Sequence, residues 1–186
     1  MKESILALQL VFHLGRGSQG RRRLAEATGA SEMTVRLELE RLRESGFVAL
    51  RRLGAALTDS GRNHFERLLE GVREIRVLPL TTLRIDRVAL AAHLAATEKR
   101  PVWLIRDAAI REGASGLVLL RYDSGGWQFV HDEEPVALRN PQDAATLRGA
   151  FPNCTPGDRL VLCFGPDRRF ACLGLWRAID EIVWRP

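Results

Sequence analysis

The stretch "LAEATGASEMTVRLELERLRESGFV", Leu24 to Val48, decides how the chain is read. Ser31 opens a helix as its N-cap, because a serine hydroxyl accepts a hydrogen bond from a free amide of the first turn. Val35, Leu39 and Leu42 recur on one apolar stripe, with Leu37 off it. Glu32, Thr34, Arg36, Glu38 and Arg41 take outward positions. Gly46 ends the helix by tolerating a left-handed conformation. Just before it, Arg21 to Thr28 form a shorter helix that turns Leu24, Ala25 and Ala27 inward, and Gly29 supplies a tight turn. The outer face of the longer helix either meets only solvent or reads a partner, and the flanking sequence bears on which.

Upstream, Glu3 to Leu14 read as a helix that is apolar on most sides, through Ile5, Leu6, Leu8, Leu10, Val11 and Phe12. Such a helix is buried in its own chain or shared with a second copy. Gly15, Gly17, Ser18 and Gly20 break it. Downstream, "FVALRRLGAALTDSGRNHF" reads as a strand over Phe47 to Leu53, a turn at Gly54 and a short return strand over Ala55 to Leu57. Thr58 then caps a fourth helix, predicted to run through Phe65, Leu68 and Leu69 to about Arg76.

This order of helix, helix, turn, helix, hairpin, helix resembles the winged helix-turn-helix domain of bacterial and archaeal transcription regulators. The residues that carry the likeness are Leu24 and Ala25, Gly29 at the turn, Ser31 as cap, "TVR" at 34–36, then Leu39, Leu42 and Gly46, and "ALTDSGR" at 56–62. It covers roughly residues 1–75. The resemblance implies double-stranded DNA as partner and a homodimer on two half-sites. It lays the third helix in a major groove that is wide enough for one helix. The implied contacts are Ser31, Glu32, Thr34, Val35 and Arg36 on the first turns of that helix. Arg36 is the best candidate for reading a base, since a guanidinium holds both acceptors of guanine. Arg21, Arg22 and Arg23 meet a phosphate strand from the start of the second helix, and Arg51 and Arg52 at the hairpin tip make backbone contacts. The first and fourth helices are the expected dimer surface.

Charge fits a polyanionic partner only modestly. Residues 1–80 carry a net +4 (14 Arg and Lys against 10 Asp and Glu), out of +5 for the whole chain. Glu38, Glu40 and Glu44 put acid on the third helix, so one copy should bind weakly. A hydrophobic fraction of 46% and a charged fraction of 27% are those of an ordinary globular protein. No apolar run approaches the roughly 20 residues needed to span a membrane, and no cleavable leader is read at the N-terminus, so a cytoplasmic protein is expected. Cys154, Cys163 and Cys172 are odd in number and form no close pair, which predicts unpaired thiols and not a zinc site.

From Val77 the pattern changes, which sets the expected domains at 1–76 and 77–186. A strand is predicted over Arg87 to Leu94, a helix over Val102 to Glu112, and a hairpin with strands 117–122 and 127–130. A short helix with a proline at its first position follows, then a buried strand over Arg159 to Phe164 and a closing helix. The expected fold class is α+β: a winged helix-turn-helix domain followed by a small α/β sandwich. "RDAAIREGASGLVLLRYDSGG" resembles the companion domain found behind the winged helix in some uncharacterised archaeal regulators, which implies sensing or assembly but no known ligand. A pocket between the helix at 102–112 and the strand ends is where a small-molecule effector is expected, with Trp103, Arg106, Asp107 and Trp127 as its residues.

Catalytic signals are missing from the sequence. "GASG" at 113–116 and "DSGG" at 123–126 fit no phosphate-binding fingerprint. His13, His64, His93 and His131 share no metal spacing, and no serine or cysteine has a nucleophile context. No metal or other cofactor is expected. The leading reading is a non-enzymatic, dimeric, DNA-binding regulator. Two rivals stay open: a winged-helix protein-interaction module in a larger complex, and an enzyme with an ancillary winged helix.

Overall fold

The computed structural model describes residues 3–95, 100–123 and 125–184. The chain divides between Glu70 and Gly71 into two compact units. It is a mixed α and β protein with two antiparallel sheets. Among the described residues no helix is long and apolar enough to cross a membrane.

The first unit opens with α1 (Ile5–Gly15), capped by the Ser4 hydroxyl. Its Leu8, Leu10, Val11 and Leu14 are wholly buried within one chain. Next come α2 (Arg21–Thr28) and α3 (Glu32–Glu44). Ser31 caps α3 by accepting from the Thr34 amide at 3.1 Å, and Gly46 leaves it at φ +78°. A two-stranded hairpin follows, β1 (Val48–Arg51) paired with β2 (Gly54–Leu57). Gln19 extends this hairpin by exchanging two backbone hydrogen bonds with Ala55, at 2.9 and 3.0 Å. Gly54 sits where that exchange is tightest, since a Cβ there would lie 2.4 Å from the Gln19 carbonyl oxygen. The predicted long fourth helix is instead two short ones, α4 (Asp59–His64) and α5 (Glu66–Gly71), broken at the buried Phe65.

Residues 72–76, expected to continue that helix, belong to a strand, β3 (Val72–Leu78). Its β-branched residues Val72, Ile75 and Val77 suit a ladder, and the ladder partner is β4 (Val88–Leu94). Residues 71–76, grouped with the first domain on sequence, therefore lie in the second unit. That unit continues with α6 (Val102–Arg111), β5 (Gly116–Asp123), β6 (Gly126–Phe129), α7 (Val136–Arg139), α8 (Pro141–Ala150), β7 (Arg159–Gly165) and α9 (Arg168–Ile179), which ends in a π-helical turn at Asp180–Trp184.

The five strands run in the order β3-β4-β7-β5-β6, and every neighbouring pair is antiparallel. The expected small α/β sandwich is thus an antiparallel sheet between helices. Alternating strand and helix in sequence does not fix strand direction, because an antiparallel partner can also be reached through a helix. β7 is central and buried throughout. One face of the sheet carries Ala89, Ala91, Leu160, Leu162 and Phe164 against Val136, Leu147 and Phe151 of the α7–α8 region. The other face carries Cys163 beneath α9, where Gly174 approaches so closely that a Cβ would lie 2.9 Å from Sγ. His93 alternates with Ala89 and Ala91 and so shares the α7–α8 face.

Candidate nucleic-acid interface

In the first unit an open groove of about 660 Å³ lies between the start of α2, the middle of α3 and the hairpin. Arg21, Arg36, Arg51 and Arg52 all line it, with Glu40, Leu53 and Gly54 among its other walls. All four arginines are exposed, and none makes an ion pair among the described residues. The acids expected to oppose them are partly engaged elsewhere. Glu40 pairs with Arg43 at 2.7 Å, and Glu38 pairs with Arg41 at 3.4 Å while accepting from the Ser4 hydroxyl at 2.8 Å. The groove therefore presents four guanidinium groups toward one open space, which is an arrangement that attracts an anion.

The remaining residues expected at this surface divide. Arg22 and Arg23 are exposed beside Arg21, but Arg22 is paired with Glu26 at 3.2 Å. Glu32 is exposed on the first turn of α3. The Ser31 and Thr34 hydroxyls are 2.8 Å apart and bond each other. Val35 is a correction: it is fully buried, so it contacts no partner. It falls on the inward stripe with Leu39 and Leu42, and a helical position cannot serve both faces.

The expected effector residues are not brought together. Trp103 stands 61% exposed on α6. Arg106 and Asp107, also on α6, form a surface pair at 3.7 Å. Trp127 is buried on β6, where it lines a cavity of about 50 Å³ with Tyr122, Ala144 and Phe151. None of Trp103, Arg106 and Asp107 lines that cavity. Its volume is that of one or two waters, far below the roughly 300 Å³ at which small-molecule pockets begin.

A group missed on sequence lies on the same sheet face. His93 Nε2 is 2.9 Å from Asp158 Oδ2, and Cys154 offers its sulfur within 4.8 Å of both ligand groups. Arg73 Nη1 also donates to Asp158 Oδ2, at 3.0 Å, and so does the Thr155 amide, at 2.8 Å. Cys154 lies 61 residues from His93, so no spacing motif points to the pair. Only the register, which sets Leu94 opposite Arg159, joins the end of β4 to the start of β7. The thiol is no activated nucleophile. Burial, with the Asp158 charge beside it, pushes the Cys154 pKa up to about 11, whereas reactive cysteines have lowered values.

Fold and groove together define a two-unit mixed α and β protein with a basic cleft on its first unit. Residues 87–182 match the model of a family described as a domain of unknown function (DUF4443), and the chain belongs to that family. The match starts at the edge of β4 and stays within the second unit. Among solved structures, the chain is similar to the "Hypothetical protein PH0730 from Pyrococcus horikoshii OT3", with TM-score 0.73 and 19% identity, over 97% of this chain and 93% of that one. At that identity the likeness concerns the fold. No curated protein matches the chain.

Proposed function

We propose that this protein is a sequence-specific, DNA-binding transcription regulator. Its first unit acts as a winged helix-turn-helix and binds duplex DNA in the cytoplasm as a dimer, and its second unit serves sensing or assembly. The observation that carries the reading is the groove in which Arg21, Arg36, Arg51 and Arg52 converge without a carboxylate partner among the described residues. Two of its walls are the helix and hairpin that such a domain sets against the major groove and the flanking backbone. Arg36 reads a base edge, while Arg21, Arg51 and Arg52 neutralise phosphates. The cavity at Trp127 is too small for an organic effector, so it is not the sensing site of this reading. No catalytic activity is part of this reading.

The test is a salt titration of binding to duplexes selected from a random pool. If each of the four arginines neutralises one phosphate, the logarithmic slope against salt is roughly −3 to −4 per copy. Arg36→Ala lowers discrimination between selected and scrambled duplexes, whereas Arg51→Ala and Arg52→Ala weaken both alike. A flat slope, or no binding at low salt, removes the proposal. An unchanged preference in Arg36→Ala removes the assignment of readout to that residue.

A second reading has its own support. Met33 and Leu37 are 61% and 60% exposed at i and i+4 on α3, and Leu53 is 87% exposed on the hairpin. Apolar side chains presented by these elements suit a protein partner. Loss of binding in Met33→Ala/Leu37→Ala, at full duplex affinity in the same variant, would favour a protein-interaction module.

A further inference from the structure

We propose that His93, Cys154 and Asp158 form a site for a divalent transition-metal ion of the zinc type, with three protein ligands and a fourth position left to water. The three side chains supply an imidazole nitrogen, a sulfur and a carboxylate oxygen, all within 4.8 Å of one another. That donor set belongs to zinc and its neighbours, since calcium and magnesium take oxygen alone. This assignment concerns the second unit and is independent of the DNA-binding reading.

Three observations support it. First, the fold already gathers the ligands. His93 Nε2 and Asp158 Oδ2 are 2.9 Å apart, and ligand atoms on one tetrahedral zinc are about 3.3–3.8 Å apart, given bonds of about 2.0–2.3 Å. The ion replaces the proton shared between Nε2 and Oδ2, those two atoms part by roughly half an ångström, and the sulfur closes by at most about 1.5 Å. Second, Asp158 is 1% exposed, and its Oδ1 has no hydrogen-bond partner while Oδ2 accepts from three. An unpaired buried carboxylate oxygen is costly, and a cation shared between the two Asp158 oxygens, or taken by Oδ1, satisfies it. Third, the surroundings hold the imidazole in place and keep it dry. The His93 ring lies edge-on to Trp127 and Phe151, at 6.2 and 5.7 Å between centroids, and is 4% exposed. Cys154 is only half-buried, which leaves a way in from solvent.

One group opposes the ion. The Arg73 guanidinium, 3.0 Å from Asp158 Oδ2, repels a second cation. It also supplies the contrast that separates a metal site from a purely structural polar knot. If the cluster only ties β3 to β4 and the loop before β7, removing Arg73 weakens the protein and does nothing for metals. If it is a metal site, removing Arg73 tightens binding.

The experiment uses the full chain, reduced and stripped of metal by a chelator, titrated with Co²⁺ and then with Zn²⁺. Expected are one ion per chain, a thiolate-to-cobalt charge-transfer band in the near ultraviolet, displacement of that band by Zn²⁺, and a higher unfolding temperature with Zn²⁺. Cys154→Ser keeps size and shape, so its metal-free unfolding temperature stays close to wild type. It loses the band, and its affinity falls by more than the roughly 10–100-fold that removal of an outer-shell partner costs. His93→Gln lowers the Co²⁺ affinity by a similar factor, Cys172→Ser leaves band and affinity intact, and Arg73→Ala binds Co²⁺ more tightly. Absence of the band at saturating Co²⁺, or its persistence in Cys154→Ser, overturns the proposal.

Discussion

Asp143→Ala is expected to destabilise the protein by about 3 kcal/mol, measured as denaturant unfolding at neutral pH. Asp143 is fully buried in the first turn of α8, yet its charge is well satisfied. It accepts from the amides of Thr81, Thr82 and Leu83, at 2.8, 2.8 and 2.6 Å, and from the hydroxyls of Thr81 and Thr82, at 2.9 and 3.0 Å. This one carboxylate holds the connection that returns the chain from β3 to β4. Hydrogen bonds to a charged group contribute about 1.5–3 kcal/mol each when counted singly. Five of them do not add, because Thr81 and Thr82 are themselves exposed and turn to water once the carboxylate is gone. Hence the expectation of about 3 kcal/mol, near the lower end of what losing a buried charge partner costs.

The same residue makes stability depend on acid. Burial alone raises the Asp143 pKa, but the hydrogen bonds from Leu83, Thr81 and Thr82 outweigh it and hold the carboxyl below its ordinary value. A carboxyl whose folded pKa is depressed stabilises the fold fully above its unfolded value. That contribution is lost as pH falls from about 4 toward the lower folded value. Asp143→Asn should therefore lose less stability than wild type between pH 5 and 3, values that bracket that window. An Asp143→Ala protein within about 1 kcal/mol of wild type, the range of ordinary surface changes and mild core ones, would remove this account. So would an unchanged acid slope in Asp143→Asn.

Gly61→Ala carries the second large effect, with a sign opposite to the one helix propensity gives. Glycine within a helix is about 1 kcal/mol worse than alanine, so propensity alone favours the change. Yet a Cβ at Gly61 would lie 2.1 Å from the Phe47 carbonyl oxygen and 2.9 Å from its carbon, both backbone atoms. That carbonyl already accepts the Thr58 amide at 3.0 Å, and the Thr58 hydroxyl caps the Gly61 amide at 2.9 Å while donating to the Gly46 carbonyl at 2.6 Å. Neither side can yield without shifting the start of the hairpin. Overpacking of this kind costs about 1–3 kcal/mol, and a backbone neighbour puts Gly61→Ala near the top of that range. Gly149→Ala on the exposed side of α8 is the control, since a Cβ there meets nothing within 4 Å. It should stabilise by roughly 0.5–1 kcal/mol. Equal shifts in the two unfolding temperatures would show that the close approach to Phe47 decides nothing. If the first unit binds DNA as proposed, Gly61→Ala also weakens that binding by moving Arg51 and Arg52.

How much could be read beforehand follows from the range of each interaction. The Ser31 cap, the ends of α2 and α3, the turn at Gly54 and the proline at the start of α8 are settled within a few residues, and all were legible. The "L-T-x-x-G" spacing at 57–61 was visible as a pattern, but its reason, the Phe47 carbonyl packed against Gly61, was not. Val35 fits both the apolar stripe and the contact turns by sequence, and burial admits only the first. The helix expected through Arg76 failed for another reason. Residues 72–78 form a strand only because β4 offers a ladder, and β4 begins ten residues later.

The sequence by itself determined the local elements, the basic bias of the first part and the arginines at its surface, because caps, turns and hydrophobic periods act between near neighbours. Tertiary structure alone decided the rest. Strand direction, the convergence of Arg21, Arg36, Arg51 and Arg52 on one groove, and the meeting of His93 with Cys154 and Asp158 all depend on register between distant segments. Register is set by which faces can be buried together, and that is a property of the assembled sheet and not of any stretch within it.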